Sequence, residues 1–458
     1  MKDLYQKRVL ILALFAGEIL MKSGAEVYRV EETILRICQA CGIHYAECYV
    51  VPTGIFLSLD SGSDENDMHT FIKRIHGNNV NLKKISAVND FSQTLCATAT
   101  ATAPATAPAT APATASGTDA TPSETVDKAP GEEQAGAQVE LEASFEKLKT
   151  IKVIRLYPFP LRVLAAMLVG AGFVPYYSGS VPEMAIAAFV SGAAFCLSSA
   201  IARLQLPPFI RIFLSCFLAS VLVILLDLLL PGNNMPAVLV SAVTIFMPGV
   251  AIVTAARDAL SGNALSGVTH LLEALISAVA IAGGIGAQLT IWAMAGEGLS
   301  IEIATVYPLW CYLLFGLAIT TGFGIIFNAP TRQLPAIAAI GAVGLLVFEL
   351  MVSGGQSVIA ACFVGTCLVA LLSEFGSRAG RDATTVFLLP GIIPFVPGSL
   401  LYRTMLGVIE NNFSSAAENG ATAFMVAGCM AVAVIIASAM TRLVLAVARR
   451  VTGRKPAR

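Results

Sequence analysis

Long apolar runs separated by short polar loops fill the chain from Pro160 onward. A helix that crosses a bilayer needs about 20 mostly apolar residues, and ten runs reach or approach that length. They lie at 161–178, 183–202, 209–230, 236–256, 265–292, 304–327, 335–352, 356–375, 383–409 and 420–446. This pattern predicts a polytopic α-helical membrane protein with ten transmembrane helices.

The first 96 residues have a different pattern, which is typical of a small α/β domain. Apolar positions recur at helical spacing over Val9–Ala40, and Cys41-Gly42 is a typical stop signal. Short runs of strand type follow at Ala46–Val51, Gly54–Leu59 and Met68–His76. The pattern leaves the type of the next element, Val80–Thr94, open.

Alanine, threonine and proline dominate residues 97–140, where prolines recur at Pro104, Pro108 and Pro112. Such a segment offers few large apolar side chains to bury and favours extended conformations. We therefore expect a disordered linker over 97–140. It would join the N-terminal domain, 1–96, to two five-helix membrane blocks over 141–295 and 296–458.

The loop charges predict an orientation, because Lys and Arg concentrate on the cytoplasmic side of a membrane. Every even-numbered loop between the ten runs contains Arg, whereas the odd-numbered loops contain neither Lys nor Arg. The basic positions in these even loops are Arg203, Arg257, Arg332, Arg378 and Arg381. This alternation predicts a multi-pass protein of the cytoplasmic (inner) membrane with the N-terminal domain and the C-terminus in the cytoplasm.

Composition excludes several classes of function. Only 13% of the residues are charged, against roughly 25% in soluble domains, and the formal net charge is −1. No basic run interleaved with aromatic residues predicts a nucleic-acid partner. No phosphate-binding loop, nucleophile elbow or zinc-protease motif occurs either, so the sequence gives no basis for an enzyme or for a cofactor.

Matching Pro-Gly pairs predict an internal repeat. The fourth run contains Pro248-Gly249, and the ninth contains Pro390-Gly391 and Pro397-Gly398. Each run is the fourth in a block of five, and because five is odd the two blocks would enter the membrane from opposite sides. Transporters built from inverted repeats carry interrupted helices at such positions, where freed backbone groups line a cavity. The alternative is a pair of simple helix kinks.

Several segments resemble the threonine/serine exporter (ThrE-type) family. They are 16–20 (AGEIL), 23–31 (SGAEVYRVE), 52–59 (PTGIFLSL), Pro248-Gly249 with Arg257-Asp258 and Ser261-Gly262, and 389–398 (LPGIIPFVPG) with Tyr402-Arg403. The resemblance covers the N-terminal domain and all ten runs, and the two blocks, which are separate chains in some members, look fused here. It implies export of threonine and serine across the cytoplasmic membrane, driven by the proton gradient. Split relatives have also been linked to succinate export.

A proton-coupled exporter needs an ionisable group within the membrane, and intramembrane carboxylates are functional candidates. Glu273 lies about nine residues into the fifth run, and His270 lies three residues earlier on nearly the same face. We predict that Glu273 and His270 take part in proton coupling. A structural ion pair is the alternative.

Two arginines are candidates for substrate binding or gating, together with the Pro-Gly positions. Arg257 could bind a substrate carboxylate while Asp258 holds the arginine or a substrate ammonium group. The alternative is a cytoplasmic anchor paired with its neighbour. Arg403 follows the second break towards the outer side, where the positive-inside rule does not explain an arginine.

Other charged groups favour structural roles in the sequence. Asp227, Glu349 and Glu374 lie near the ends of their runs, where a solvated position is expected. A stripe of alternating charge near the N-terminus predicts a solvated helix face with i,i+4 pairs, or a gating surface. Its members are Glu18, Lys22, Glu26, Arg29, Glu32 and Arg36.

Cysteine and histidine spacing raises one further alternative. Cys38, Cys41, His44 and Cys48 are ligand types that suit zinc, but the predicted helix-to-strand boundary separates them, and we predict no metal. A membrane-anchored sensor that acts through the N-terminal domain is the alternative from another functional class. The expected partners are a small-molecule substrate, protons and the lipid bilayer, and a homo-oligomer is left open.

Overall fold

A computed structural model of the chain describes residues 2–43, 45–60, 68–75, 77, 79–102, 130–295, 307–396, 398–409 and 411–452. The chain divides into two compact units. The N-terminal unit consists of Met1–Asn78 and Ala87–Ile154, and the membrane unit consists of Asn79–Ser86 and Arg155–Arg458.

The N-terminal unit contains helices and a small sheet, against which α1 and α2 pack. Its elements are α1 (Lys2–Lys22), α2 (Val27–Ala40), β1 (Ala46–Val51), β2 (Gly54–Asp60), β3 (Met68–Arg74), α3 (Leu82–Thr102), whose first residues belong to the membrane unit, and α4 (Pro130–Lys152). The sheet is antiparallel in the order β1-β2-β3, and Val51 pairs with Gly54 across a two-residue turn. The three predicted strands therefore form, and the open element after them is a helix.

The apolar stretch Val9–Ala40 forms two helices and not one. Helix α1 ends where Gly24 adopts a positive φ of 78° and the Ala25 N–H donates to the carbonyl of Leu20 at 3.1 Å. This closing hydrogen bond in the last turn is the usual helix stop that glycine permits. Helix α2 then buries Val30, Ile34 and Ile37 along one face.

The charged stripe near the N-terminus is only partly solvated, which corrects the predicted solvated face. Glu18 is 6% exposed and Glu26 is 3% exposed. Glu18 contacts Lys22 at 2.6 Å and Lys73 of β3 at 3.0 Å, so one buried carboxylate joins α1 to the sheet. Burial of a paired charge ties the stripe to the packing of this unit.

Helices also enter the segment that the sequence predicts as a linker. Helix α3 continues to Thr102, and α4 begins at Pro130. The proline repeat at Pro104, Pro108 and Pro112 lies outside the described residues.

The membrane unit is helical throughout its described part. Its elements are α5 (Phe159–Phe173), a 3-10 helix (Val174–Tyr177), α6 (Val181–Ala202), α7 (Pro208–Leu229), α8 (Met235–Val243), a 3-10 helix (Thr244–Phe246), α9 (Gly249–Leu260), α10 (Ala264–Ala295), α11 (Leu309–Ile326), a 3-10 helix (Thr331–Gln333), α12 (Leu334–Ser353), α13 (Val358–Gly380), α14 (Thr384–Ile392), a 3-10 helix (Ile393–Phe395), α15 (Gly398–Ile409) and α16 (Phe413–Thr452).

Eight helices within the described residues are long and apolar enough to cross a membrane, or nine if a bent pair counts as one span. The bent pair is Met235–Phe246 with Gly249–Leu260, whose axes differ by 53°, and it corresponds to the predicted fourth run. The predicted ninth run corresponds to a shorter apolar helix, Thr384–Phe395, followed by α15. The fold is therefore a multi-pass helical bundle, with eight or nine such spans in place of a confirmed ten.

Left-handed residues recur at regular intervals in the membrane unit. In its described part, each residue with positive φ has a counterpart 149 or 150 residues away. The pairs are Ser178 with Asn328, Gln205 with Gly355, Gly232 with Arg381, and Gly262 with Asn411. Only three of these eight are glycine, so the geometry recurs where the residue type does not.

Candidate functional site

The first break in a helix lies at Met247-Pro248. The chain passes from α8 through a 3-10 turn into Met247, which is extended at φ −63° and ψ 134°, and α9 begins at Gly249. Proline disfavours the helical conformation of the residue before it and lacks the N–H that would continue the ladder. The sequence thus dictates an interruption here, as predicted.

The second break has the same layout. Helix α14 and α8 each have nine residues, three-residue 3-10 turns follow both, and α15 and α9 each have twelve residues. Val396 is extended at φ −59° and ψ 132°, like Met247. Pro397 lies outside the described residues, and Gly398 begins α15.

The other predicted pair, Pro390-Gly391, does not interrupt a helix. Both residues are buried inside α14, which continues to Ile392. Pro390 is the seventh residue of this helix, so its missing N–H removes one hydrogen bond near the helix end. The break that matches Pro248-Gly249 is therefore the later one.

The two breaks pack against each other, and the glycine of each break contacts the residue that precedes the proline of the other. A Cβ atom placed on Gly249 would lie 2.7 Å from Cγ1 of Val396, and one placed on Gly398 would lie 2.5 Å from Sδ of Met247. Each glycine thus packs against the residue that precedes the other break. Side chains larger than hydrogen would separate the two interruptions.

Two carboxylates, Asp258 on α9 and Glu273 on α10, lie on either ring nitrogen of His270. Nε2 of His270 lies 3.7 Å from Oδ2 of Asp258, and Nδ1 lies 3.3 Å from Oε2 of Glu273. The side chain of Asp258 is 1% exposed and that of Glu273 is 54% exposed. Gly267 allows the close approach of the helices, because its Cβ would lie 2.9 Å from the carbonyl oxygen of Ala255. Arg257 lies half-buried beside Asp258 in sequence.

Arg403 is half-buried on α15 and interacts electrostatically with Tyr177. The hydroxyl of Tyr177 hydrogen-bonds the side chain of Thr244, in the 3-10 turn of the first break. Arg403 follows the second break in the chain, so this interaction links it to the first.

Glu349 is the functional candidate that sequence reasoning underrated. It is 4% exposed on α12, which corrects the predicted solvated position, whereas Asp227 and Glu374 are half-buried. The sequence does contain a signal for burial, because Glu349 is the single charged residue of α12. Such a buried carboxylate is costly within a bilayer.

A separate polar cluster joins several loops of the membrane unit around Asp382. Its carboxylate accepts from Gln333 at 2.7 Å and Arg332 at 3.0 Å, and it also accepts from the hydroxyl of Ser86. Nearby, the N–H of Leu82 donates to the carbonyl oxygen of Phe327 at 2.9 Å, and that of Lys83 donates to the carbonyl oxygen of Asn328 at 2.8 Å. Both acceptors directly follow α11. These bonds satisfy helix-end groups that would otherwise lack partners.

The cysteine-rich segment around the end of α2 does not gather into a metal site in the described residues. Burial raises the pKa of the Cys38 thiol and of the Cys48 thiol, each to about 12. Thiols bind metal as thiolates, so this environment disfavours coordination. His44 lies outside the described residues.

Comparisons with known families agree with this architecture. The family described as "Putative threonine/serine exporter" matches residues 11–108 and 114–292, and the family described as "Threonine/Serine exporter, ThrE" matches residues 312–440. The molecule is a multi-pass membrane protein of the transporter class. Because the first match alone covers more than half of the chain, the chain belongs to the threonine/serine exporter family.

A protein of Haemophilus influenzae (strain Rd), named "Uncharacterized protein", is 26% identical over 98 residues. The match covers 21% of this chain and about a third, 33%, of that protein's length. No solved structure matches the chain.

Proposed function

We propose that this protein is a secondary transporter that exports small amino acids, threonine and serine, from the cytoplasm, using the proton gradient. The observation that carries the proposal is the match of both halves of the chain to exporter families. The alternatives of succinate export and of sensing receive no support from these matches.

The transporter has ten spans in two five-helix blocks that form inverted repeats. Matching layouts of the broken helices support this division, as do the left-handed residues at constant spacing. Exchanged contacts support a two-fold relation, because such an axis pairs residue i with j′ and j with i′. Gly249 packs against Val396 while Gly398 packs against Met247.

A second set of exchanged contacts joins α5 to α11 and supports the same two-fold relation. A Cβ on Gly172 would lie 2.6 Å from Cγ1 of Ile319, and one on Gly322 would lie 2.6 Å from Cγ2 of Val169. The equivalent residues here, Gly172 with Gly322 and Val169 with Ile319, are 150 apart in the chain, against 149 in the first set. The crossing is antiparallel, as expected when the second block enters from the opposite side.

The substrate pathway passes the two breaks. The helix ladder is interrupted at Pro248 and Gly249 and again before Gly398, and backbone groups freed in this way can line a polar path only where protein or water surrounds them. Pro397, outside the described residues, belongs to the same proposed set. Pro390 and Gly391 support the wall of this path inside α14, and Arg403 with Arg257 supplies positive charge beside it. Alternating access then follows from the movement of one block against the other.

Proton coupling runs through Asp258, His270 and Glu273. A protonated imidazole can donate from both ring nitrogens, and each nitrogen of His270 faces a carboxylate. The triad thus offers a path from the exposed Glu273 to the buried Asp258. A relay between groups of different exposure suits a transporter that moves protons in steps.

The orientation follows the loop charges, with the N-terminal unit and the C-terminus in the cytoplasm and the bundle in the inner membrane. The proposed functional division is an N-terminal domain over 1–96, a linker over 97–140 and two membrane blocks over 141–295 and 296–458. Helix α4, Pro130–Lys152, crosses the boundary between the linker and the first block and packs as part of the N-terminal unit. A homo-oligomer is compatible with the apolar faces that α10 exposes through Leu265, Val268, Leu272 and Val279.

An export assay tests this function. Cells that lack their own exporters are loaded with dipeptides containing threonine or serine, and release of the free amino acid is timed with and without the chain. We expect faster release with the chain, loss of that gain with a protonophore, and at least tenfold slower export in Asp258→Asn and Glu273→Gln. Glu374→Gln is the matched control, because Glu374 pairs with Arg378 at 3.4 Å outside the triad.

Unchanged release of both amino acids, with or without the protonophore, would exclude the exporter. Full export by Glu273→Gln, Asp258→Asn and Arg403→Ala together would retain the exporter and exclude these sites.

A further inference from the structure

Glu349 is a buried ionisable residue on α12, a helix with no other charged side chain. It is 4% exposed, and an ionised carboxylate that is buried without a compensating charge is strongly unfavourable in a membrane protein. The described salt bridges do not include it, and helix packing alone would favour a leucine here. The position therefore calls for a charged or hydrogen-bonding partner during function.

Two tyrosines lie near this carboxylate. Glu349 interacts electrostatically with Tyr176 and Tyr312, whose rings meet edge to face at 6.0 Å and 88°. Tyr312 is 1% exposed. The hydroxyl of Tyr176 is buried and has no hydrogen-bond partner among the described residues. A buried hydroxyl without a partner is destabilising, and a ligand that accepts its hydrogen bond would remove that cost.

A positive charge interacts with the same 3-10 turn. Tyr177 follows Tyr176 directly, and it interacts with Arg403 and with the side chain of Thr244. The consecutive tyrosines thus connect a carboxylate, Glu349, to a guanidinium, Arg403. Glu349 and Arg403 come from the second block, whereas Tyr176 and Tyr177 come from the first.

Each side of this arrangement touches one of the helix breaks. Thr244 belongs to the 3-10 turn of the first break. Phe348, next to Glu349, packs on Phe395 in the 3-10 turn of the second, with ring centroids 5.8 Å apart. A ligand between the charges would therefore contact the parts of the bundle that the proposed function requires to move.

We propose that Glu349 and Arg403 bind the two charges of an α-amino acid, Glu349 the ammonium group and Arg403 the carboxylate. The inference rests on the proposed export function and names its binding site. Tyr176 donates to the side-chain hydroxyl of threonine or serine. A zwitterion neutralises both protein charges at once, whereas a dicarboxylate would leave Glu349 facing a like charge.

Ligand analogues test the assignment in the purified full chain, reconstituted in lipid nanodiscs. Threonine, N-acetylthreonine and alanine are compared, because N-acetylthreonine lacks the ammonium charge and alanine lacks the hydroxyl. We expect the wild type to prefer threonine over N-acetylthreonine by at least about tenfold. Glu349→Gln should remove that preference, and the matched control Glu374→Gln should retain it.

Tyr176→Phe provides a second variant that keeps the ring in place. It should lower the preference for threonine over alanine and leave the preference over N-acetylthreonine unchanged. These ratios do not depend on the fraction of folded protein.

Retention of both preferences by Glu349→Gln and Tyr176→Phe would overturn the binding site while the exporter stands. A Glu349→Gln chain that does not fold transfers the decision to Tyr176→Phe, whose unchanged ratio would equally overturn the site. A wild type that binds no threonine in nanodiscs and releases none from cells would overturn the proposed function itself.

Discussion

Single buried charges link packed elements of this molecule, and Glu18 is the clearest example in the N-terminal unit. Burial alone would raise the pKa of Glu18, but the hydrogen bonds and charges of Lys22 and Lys73 hold it below its ordinary value of 4.5. A carboxylate with a lowered pKa stabilises the fold above pH 4.5 and loses this effect as the pH falls through its folded-state pKa. The ion pairs are therefore expected to stabilise the unit at neutral pH.

Glu18→Gln should weaken the N-terminal unit by about 1–3 kcal/mol at pH 7, because two lysines lose their charged partner. The thiol of Cys38 reports this change, since it is fully buried and reacts only when the unit opens. We expect labelling of Cys38 by a thiol reagent, followed by peptide mass spectrometry, to accelerate about 5- to 150-fold.

The surface pair Glu146 and Lys149, 2.7 Å apart and exposed, gives the control Glu146→Gln. Equal labelling rates in Glu18→Gln and Glu146→Gln would contradict the structural role of the buried pair. The difference between Glu18→Gln and the wild type should also shrink below pH 4.5.

At the scale of elements, the sequence predicted the positions of most helices and strands but not the consequence of every proline. Pro248 interrupts a helix because the residue before it is extended, whereas Pro390 lies within α14 near its end. Both carry the same Pro-Gly dipeptide, so tertiary packing decides between a break and a tolerated proline. Glu349 shows a similar limit, since its position near a helix end does not reveal the neighbouring helix that buries it.

Replacement of Gly322 on α11 by alanine should destabilise the protein more than replacement of Gly428 on α16. A Cβ on Gly322 would lie 2.6 Å from Val169 and 2.8 Å from the carbonyl oxygen of Ala165, so a backbone must shift. Gly322→Ala should destabilise the bundle by about 1–3 kcal/mol, measured as a lower Tm in nanodiscs.

Gly428→Ala is the matched control, because nothing lies within 4 Å of its Cβ. It should leave the Tm unchanged or raise it, since alanine favours helix over glycine by up to about 1 kcal/mol. A Tm that falls equally in both variants would contradict the close crossing of α5 and α11.

The whole molecule combines a small α/β unit with a helical membrane unit whose two broken helices share one layout. Hydrophobic length predicted the membrane class, because spans have a fixed minimum length. The number ten remains a proposal, since the two broken helices divide their apolar length into pieces that individually fall short of a span. The contacts of Gly249 with Val396 and of Gly398 with Met247 could not be predicted from the sequence, because no local pattern indicates which side chain packs against a given glycine.

Transport by the purified chain is the measurement that tests the exporter most directly. Proteoliposomes containing the chain and labelled threonine are given a pH gradient, and efflux is compared with that from empty vesicles and from vesicles containing Glu349→Gln. We expect threonine efflux that depends on the chain, accelerates with the gradient and falls at least tenfold in Glu349→Gln. Efflux no faster than from empty vesicles, for threonine and serine alike, would contradict it.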